Sequence, residues 1–172
     1  MLKTLGAVMV LASGSLCGNA VGGLYSRRPR ELKAMMGALL LLKTEIGCIA
    51  APLGEAFAAV ARRADQRVAP FFDRAGAHIN STGGLTAAEA WERAVIEASP
   101  SSALREEDLD ILRDLSAALG NSDRENQAQH VSLAIERLKA AAVLAEEDAG
   151  RYVRLYKFLG FGTGLSLVVL LC

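Results

Sequence analysis

Acidic residues are absent from both ends of this chain. All nineteen lie between Glu31 and Asp148, and outside those limits stand only bases and the longest apolar runs. Cysteine is scarce, with three residues at Cys17, Cys48 and Cys172, and no two of them share a metal-ligand spacing. Neither a disulfide framework nor a zinc site is indicated. His78 and His130, the two histidines, stand far apart in sequence with no cysteine or repeated carboxylate beside them, and read as surface or helix-end residues. A phosphate-binding glycine loop, a nucleophile elbow and a metal-ligand pair are all missing, so the sequence indicates neither an enzyme nor a bound cofactor. Alternating β-branched runs are missing too, which argues against a sheet.

What is present divides by charge. The formal net charge is zero, but twelve bases face the nineteen acids between Glu31 and Asp148, leaving that interior near −7. A nucleic-acid-binding surface needs net positive charge and is not expected. The seven remaining bases, Lys3 among them, lie outside it, and Lys33 stands just within its edge. The apolar run from Leu5 to Leu24 is followed by Arg27, Arg28, Arg30 and Lys33, and the run from Phe158 to Cys172 is preceded by Arg151, Arg154 and Lys157.

The first run spans roughly 30 Å as a helix, the thickness of a hydrocarbon core, and exceeds the ~7–15 residues of a signal-peptide core. It reads as an uncleaved anchor. A lipoprotein signal fits poorly, because Leu16 stands where a small residue should precede Cys17. The second run reaches only ~22 Å and needs Arg154 and Lys157 to snorkel. Positive charge beside both runs places the intervening domain on the cytoplasmic side. The organisation expected is a transmembrane segment over 1–26, a helical cytoplasmic domain over 27–157 and a second transmembrane segment over 158–172. Gly14, Gly18 and Gly22 share one face of the first, and Gly160 and Gly164 repeat the spacing in the second. Such small residues let membrane helices approach closely, although glycine enrichment alone accounts for them equally well.

Between the runs the periodicity predicts an all-α bundle of about six helices. Pro29 opens or kinks the first, which reaches about Gly47 with Leu32, Met35, Met36, Leu39, Leu42 and Ile46 inward. Pro52 starts a second with Leu53, Phe57, Val60 and Ala61, and Ala69 to Ile79 forms a short third. Residues 80–84 make a loop. Thr86 and Glu89 fit a capping box opening a helix with Trp91, Val95 and Ile96, and Trp91 reads as a core anchor. Ser99 to Ser102 end it. The next helix begins near Leu104 and stops at Gly120, a C′ position. Its acids Glu106, Glu107, Asp108, Asp110 and Asp114 lack the glycine and spacing of a calcium loop, and read as a solvated helix start. Ser122 and Glu125 fit a second capping box, opening a long helix with Val131, Ala134, Ile135, Leu138, Ala141, Ala142 and Ala145 inward. No proline stops that helix before the second apolar run, so it is expected to continue into it.

Several short motifs in fixed order resemble one known family. They are Met1-Leu-Lys-Thr-Leu-Gly6, Arg28-Pro29-Arg30-Glu31-Leu32, Glu45-Ile46, Pro52-Leu53-x-x-Ala56, Trp91, Leu119-Gly120-x-x-Asp123 with Gln127, and Leu159-Gly160 before the apolar tail. End to end, the chain is similar to the stage III sporulation protein AB family of endospore-forming bacteria. The resemblance implies a fold like the cytoplasmic domains of type II secretion platform proteins. It also implies a place in the channel between mother cell and forespore, in the mother-cell membrane around the forespore. Its implied partners are a cytoplasmic ATPase and other stage III channel proteins, and a homo-oligomer stays open. An adaptor or sensor regulating sporulation outside a channel is the competing reading. Arg27, Arg28, Pro29, Arg30 and Glu31, with Arg151, Arg154 and Lys157, would form the junction between membrane and bundle. Gly120, Asp123 and Gln127 would shape a turn, either structural or facing a partner.

Overall fold

Pro29 sits in the first turn of helix α1 (Arg27–Thr44), where its missing N–H has no intrahelical acceptor to lose. The computed structural model describes residues 25–49, 51–81, 84–121 and 123–171, with side chains to residue 151 except at 120, 121 and 124. After α1 come α2 (Leu53–Arg63), α3 (Ala69–Asn80), α4 (Ala87–Ala98), α5 (Glu106–Asn121) and α6 (Arg124–Leu171). Among the described residues every regular element is helical, as the periodicity predicts.

Two compact units result: Arg30–Ala142, and the two chain ends, Met1–Pro29 with Val143–Cys172. The first unit holds the core. Helix α2 packs on α3, α3 on α4, and α4 on α5. Trp91 is fully buried, stacked on Phe57 with ring centroids 5.6 Å apart and tilted against Phe72 at 5.3 Å. Its indole Nε1 donates to the Leu112 carbonyl at 2.6 Å, so the polar edge of the ring is satisfied inside the core. Leu32, Met35, Leu39, Leu42 and Ile46 of the first helix are buried as expected, while Met36 lies half-buried at the edge of that face.

Several boundaries differ from the sequence expectation. Helix α1 gives way at Glu45 to a π-helical turn, Glu45–Ile49, closed by the Ala51 N–H donating to the Glu45 carbonyl at 3.2 Å. The wider turn takes Ile49 off the inner face that Leu42 and Ile46 share and leaves it 60% exposed. Ile96 faces outward at 55% exposed, because Ala94, Val95 and Ala98 already fill the inward arc of α4. Leu53, Ala61, Ile135 and Ala141 are half-buried flanks, with Ala56 fully buried. Gly120 does not end α5, which continues to Asn121.

The second capping box is displaced by one residue. Asp123 Oδ1 accepts the Asn126 N–H at 3.1 Å and the Asp123 carbonyl accepts that of Gln127 at 2.9 Å, so Asp123 is the residue that caps α6. Aspartate serves as well as serine there, and sequence alone cannot choose between adjacent candidates. Ser122 lies outside the described residues.

Helix α6 is 48 residues long and runs unbroken through the second apolar run as far as Leu171. Among the described residues no helix is long and apolar enough to cross a membrane. The run from Leu5 to Leu24, with Gly14, Gly18 and Gly22, lies outside the described residues. Of Arg154, Lys157, Gly160 and Gly164, only the helical backbone is described.

Candidate functional site

Cross-contacts fix how the ends of the first unit are arranged. The Gln127 amide donates to the Leu119 carbonyl at 3.2 Å, and Arg137 Nη1 meets Asp114 Oδ2 at 2.6 Å, so α6 folds back antiparallel on α5. At the start of α5, the Ala103 N–H donates to Glu31 Oε2 at 2.8 Å, pinning that strap beside the beginning of α1. From its cap, α6 needs roughly 27 Å of helix to reach Ala142, close to the ~24 Å length of α5. The chain therefore enters and leaves this unit at one end.

The opposite end is marked by Glu45 and Arg63. Their side chains pair at 3.1 Å, with the carboxylate buried, tying the π turn to the C-terminus of α2. Glu45 stands ~21 Å along α1 from Glu31. Nearby, Arg67 grips Asp65 at 2.9 Å.

Between α2 and α3, beside this turn, opens a cleft of ≈ 510 Å³. The apolar part of its lining is small, with Ala58, Ala61, Ala69 and Pro70. Arg62, Gln66, Asp73 and Arg74 complete its lining. Arg62 is exposed and Arg74 half-buried, and among the described residues neither makes an ion pair. Arg74 Nη1 is enclosed with no acceptor, an arrangement that costs about 1–3 kcal/mol or more for a charged donor. A second cleft of ≈ 390 Å³ on α6 is lined by His130, Leu133 and Glu136, with Gln129 and Ser132.

The acids of α5 separate into two kinds. Arg113 bridges Glu106 at 2.5 Å and Asp110 at 2.7 Å, and both contacts raise its pKa. Glu107 is exposed. Asp108 departs from the solvated helix start expected of it: it is fully buried, and its Oδ2 accepts the Arg105 N–H at 2.9 Å. The Thr86 box forms as predicted, the Thr86 N–H and hydroxyl both donating to Glu89 Oε2, at 2.9 and 2.8 Å. Those two hydrogen bonds hold the Glu89 carboxyl below its ordinary pKa.

The expected junction residues do not share one environment. Arg27, Arg30 and Arg151 are exposed and Arg28 is half-buried, whereas Pro29 and Glu31 are buried. Glu31 Oε1 is enclosed without a hydrogen-bond partner. In the turn between α5 and α6, Asp123 is exposed and Gln127 buried, its amide holding the last turn of α5. His78 lies at the end of α3, 3.2 Å from Glu97, and His130 is exposed on α6. Among the described residues no three His, Cys, Asp or Glu side chains are grouped so as to hold a metal ion. Sequence reasoning missed the Glu45–Arg63 pair, the Glu31–Ala103 contact and Arg74. Each joins or faces distant segments and leaves no local pattern.

The same helices occur in known proteins. A solved structure of stage III sporulation protein AB superposes with a TM-score of 0.66 at 28% identity, covering 72% of this chain and 97% of that one. Stage III sporulation protein AB of Bacillus subtilis (strain 168) is 30% identical over 171 residues, 99% of each chain. The sequence model described as "Stage III sporulation protein AB" matches residues 3–172, so the bundle and both apolar ends are family features together, and the chain belongs to the stage III sporulation protein AB family.

Proposed function

We propose that this protein is a non-enzymatic membrane platform of the channel between mother cell and forespore, carrying its helical unit on the mother-cell cytoplasmic side. One observation carries the reading. The chain enters and leaves the Arg30–Ala142 unit at a single end, as a domain held by flanking apolar segments should. The opposite end, with the Glu45–Arg63 pair and the turn after α2, is then turned toward cytosolic partners. The cations at Arg27, Arg28 and Arg30 and at Arg151, Arg154 and Lys157 support that side by the positive-inside tendency. Family membership supports the stage of action. A cytoplasmic secretion-type ATPase and the other stage III channel proteins are the partners this reading assigns.

Affinity purification of the tagged chain from sporulating cells tests it. Recovery of the ATPase or another channel component is expected. Repeated recovery of neither, with other membrane complexes preserved, would exclude a platform and favour the adaptor reading.

A further inference from the structure

We infer that the cleft between α2 and α3 docks an acidic helical segment of a partner protein, a carboxylate of which pairs with Arg74 while its small side chains rest on Ala58 and Ala61. The inference deepens the platform reading and rests on it for where the partner is met.

Charge selects the occupant. Four arginines surround the turn after α2, and two of them are engaged within the unit, Arg63 with Glu45 and Arg67 with Asp65. Arg62 and Arg74 have no ion pair among the described residues, although both line the cleft, and Arg74 Nη1 is enclosed without an acceptor. An unpaired guanidinium at the lining gains most from a carboxylate, whose two oxygens match its planar fork.

Shape narrows the choice further. The lining presents alanine and proline between two antiparallel helices, so a third helix can approach closely along the groove. A phosphate or nucleic acid would leave the alanine and proline part of the lining without an apolar partner, which the small side chains of a helix supply. A second copy would bring exposed acids of its own, Glu107, Glu147 and Asp148 among them, and the energy-transfer measurement below separates it from a partner.

The test uses the full chain in neutral-detergent micelles and a fluorescein-labelled helical peptide of alanine, leucine and glutamate, its glutamates three and four residues apart. Fluorescence anisotropy should report binding that weakens about tenfold in Arg62→Gln and in Arg74→Gln, the scale of one lost charged contact. Arg93→Gln, an exposed change on α4, should leave it unaltered. A peptide with glutamine for glutamate should bind at least as weakly as the variants do to the parent.

Absence of binding, or equal affinity for all three variants, overturns the proposal. Displacement by inorganic phosphate too dilute to screen charge would make the cleft an anion site and overturn it as well. So would energy transfer between labelled copies of the chain that disappears in Arg74→Gln, which would assign the cleft to self-association. Because Arg62 is exposed, Arg62→Gln keeps the test decisive even if Arg74→Gln misfolds, and the helical circular dichroism of each variant identifies such a case. Failed peptide binding leaves the co-purification unaffected, and failed co-purification leaves peptide binding to be measured, so the two readings fall separately.

Discussion

Trp91 holds the centre of the bundle by two means, ring contact and a buried hydrogen bond. Trp91→Phe retains most of the contact with Phe57 and Phe72 but removes the indole donor. It should cost about 1–3 kcal/mol, and Trp91→Ala about 3–5, read from urea midpoints followed by circular dichroism. Glu31 presents a different balance. One carboxylate oxygen holds the strap at Ala103, while the other is enclosed without a partner. In Glu31→Gln the amide oxygen can still accept the Ala103 N–H and no charge is buried, so its stability should stay within about 1 kcal/mol of the parent. Glu31→Ala should lose about 1–3 kcal/mol. Equal losses in the two variants would show that the Ala103 contact is not what Glu31 contributes. Trp91 was legible in the sequence because a lone tryptophan at helical spacing with Val95 has few places to go but the core. Glu31 was not, since its acceptor role depends on a backbone N–H that only the folded chain brings near.

Helix ends follow the same division. The Thr86 box lies within four residues and is readable in full, whereas at the start of α6 serine and aspartate compete as caps and the local pattern points one position too early. Asp123→Ala should cost about 0.5–2 kcal/mol and Ser122→Ala little, as measured by unfolding of the two variants side by side. The Thr86 box also gives α4 a pH dependence. Hydrogen bonds from Thr86 hold the Glu89 carboxyl below its ordinary value of 4.5, so its stabilisation is complete above that value. It should fade as pH falls through the lowered value. The difference in unfolding midpoint between the parent and Glu89→Gln should therefore be constant near neutrality and shrink toward zero in acid. A difference that grows on acidification would contradict the geometry. The π turn after α1 had no sequence signal, because Leu42, Ile46 and Ile49 keep an α-helical spacing across it. The Glu45–Arg63 pair, which spans 18 residues, ties down the backbone that this spacing misreads.

For the molecule as a whole, the sequence made the helical class, the element order and the charge bracket legible, because each is written in local periodicity or composition. The antiparallel return of α6 and the cleft beside α2 were not, because they arise from contacts between distant segments. Topology can be tested with a native residue. Cys48 is exposed on the π turn, toward the end opposite the chain crossings. With Cys17 and Cys172 replaced by serine, a membrane-impermeant maleimide should label Cys48 in inverted vesicles and not in intact protoplasts. Labelling from outside would reverse the proposed orientation.

The shared entry and exit carry one more consequence. A unit whose chain arrives and departs at the same end is built as an inserted domain is, a passenger whose two points of attachment are neighbours rather than a link in a row. Lengthening or shortening the passenger alters its far surface without moving the point of attachment. Sequence change at the turn after α2 and at the π turn can therefore retune what the bundle meets, while the two ends keep their spacing.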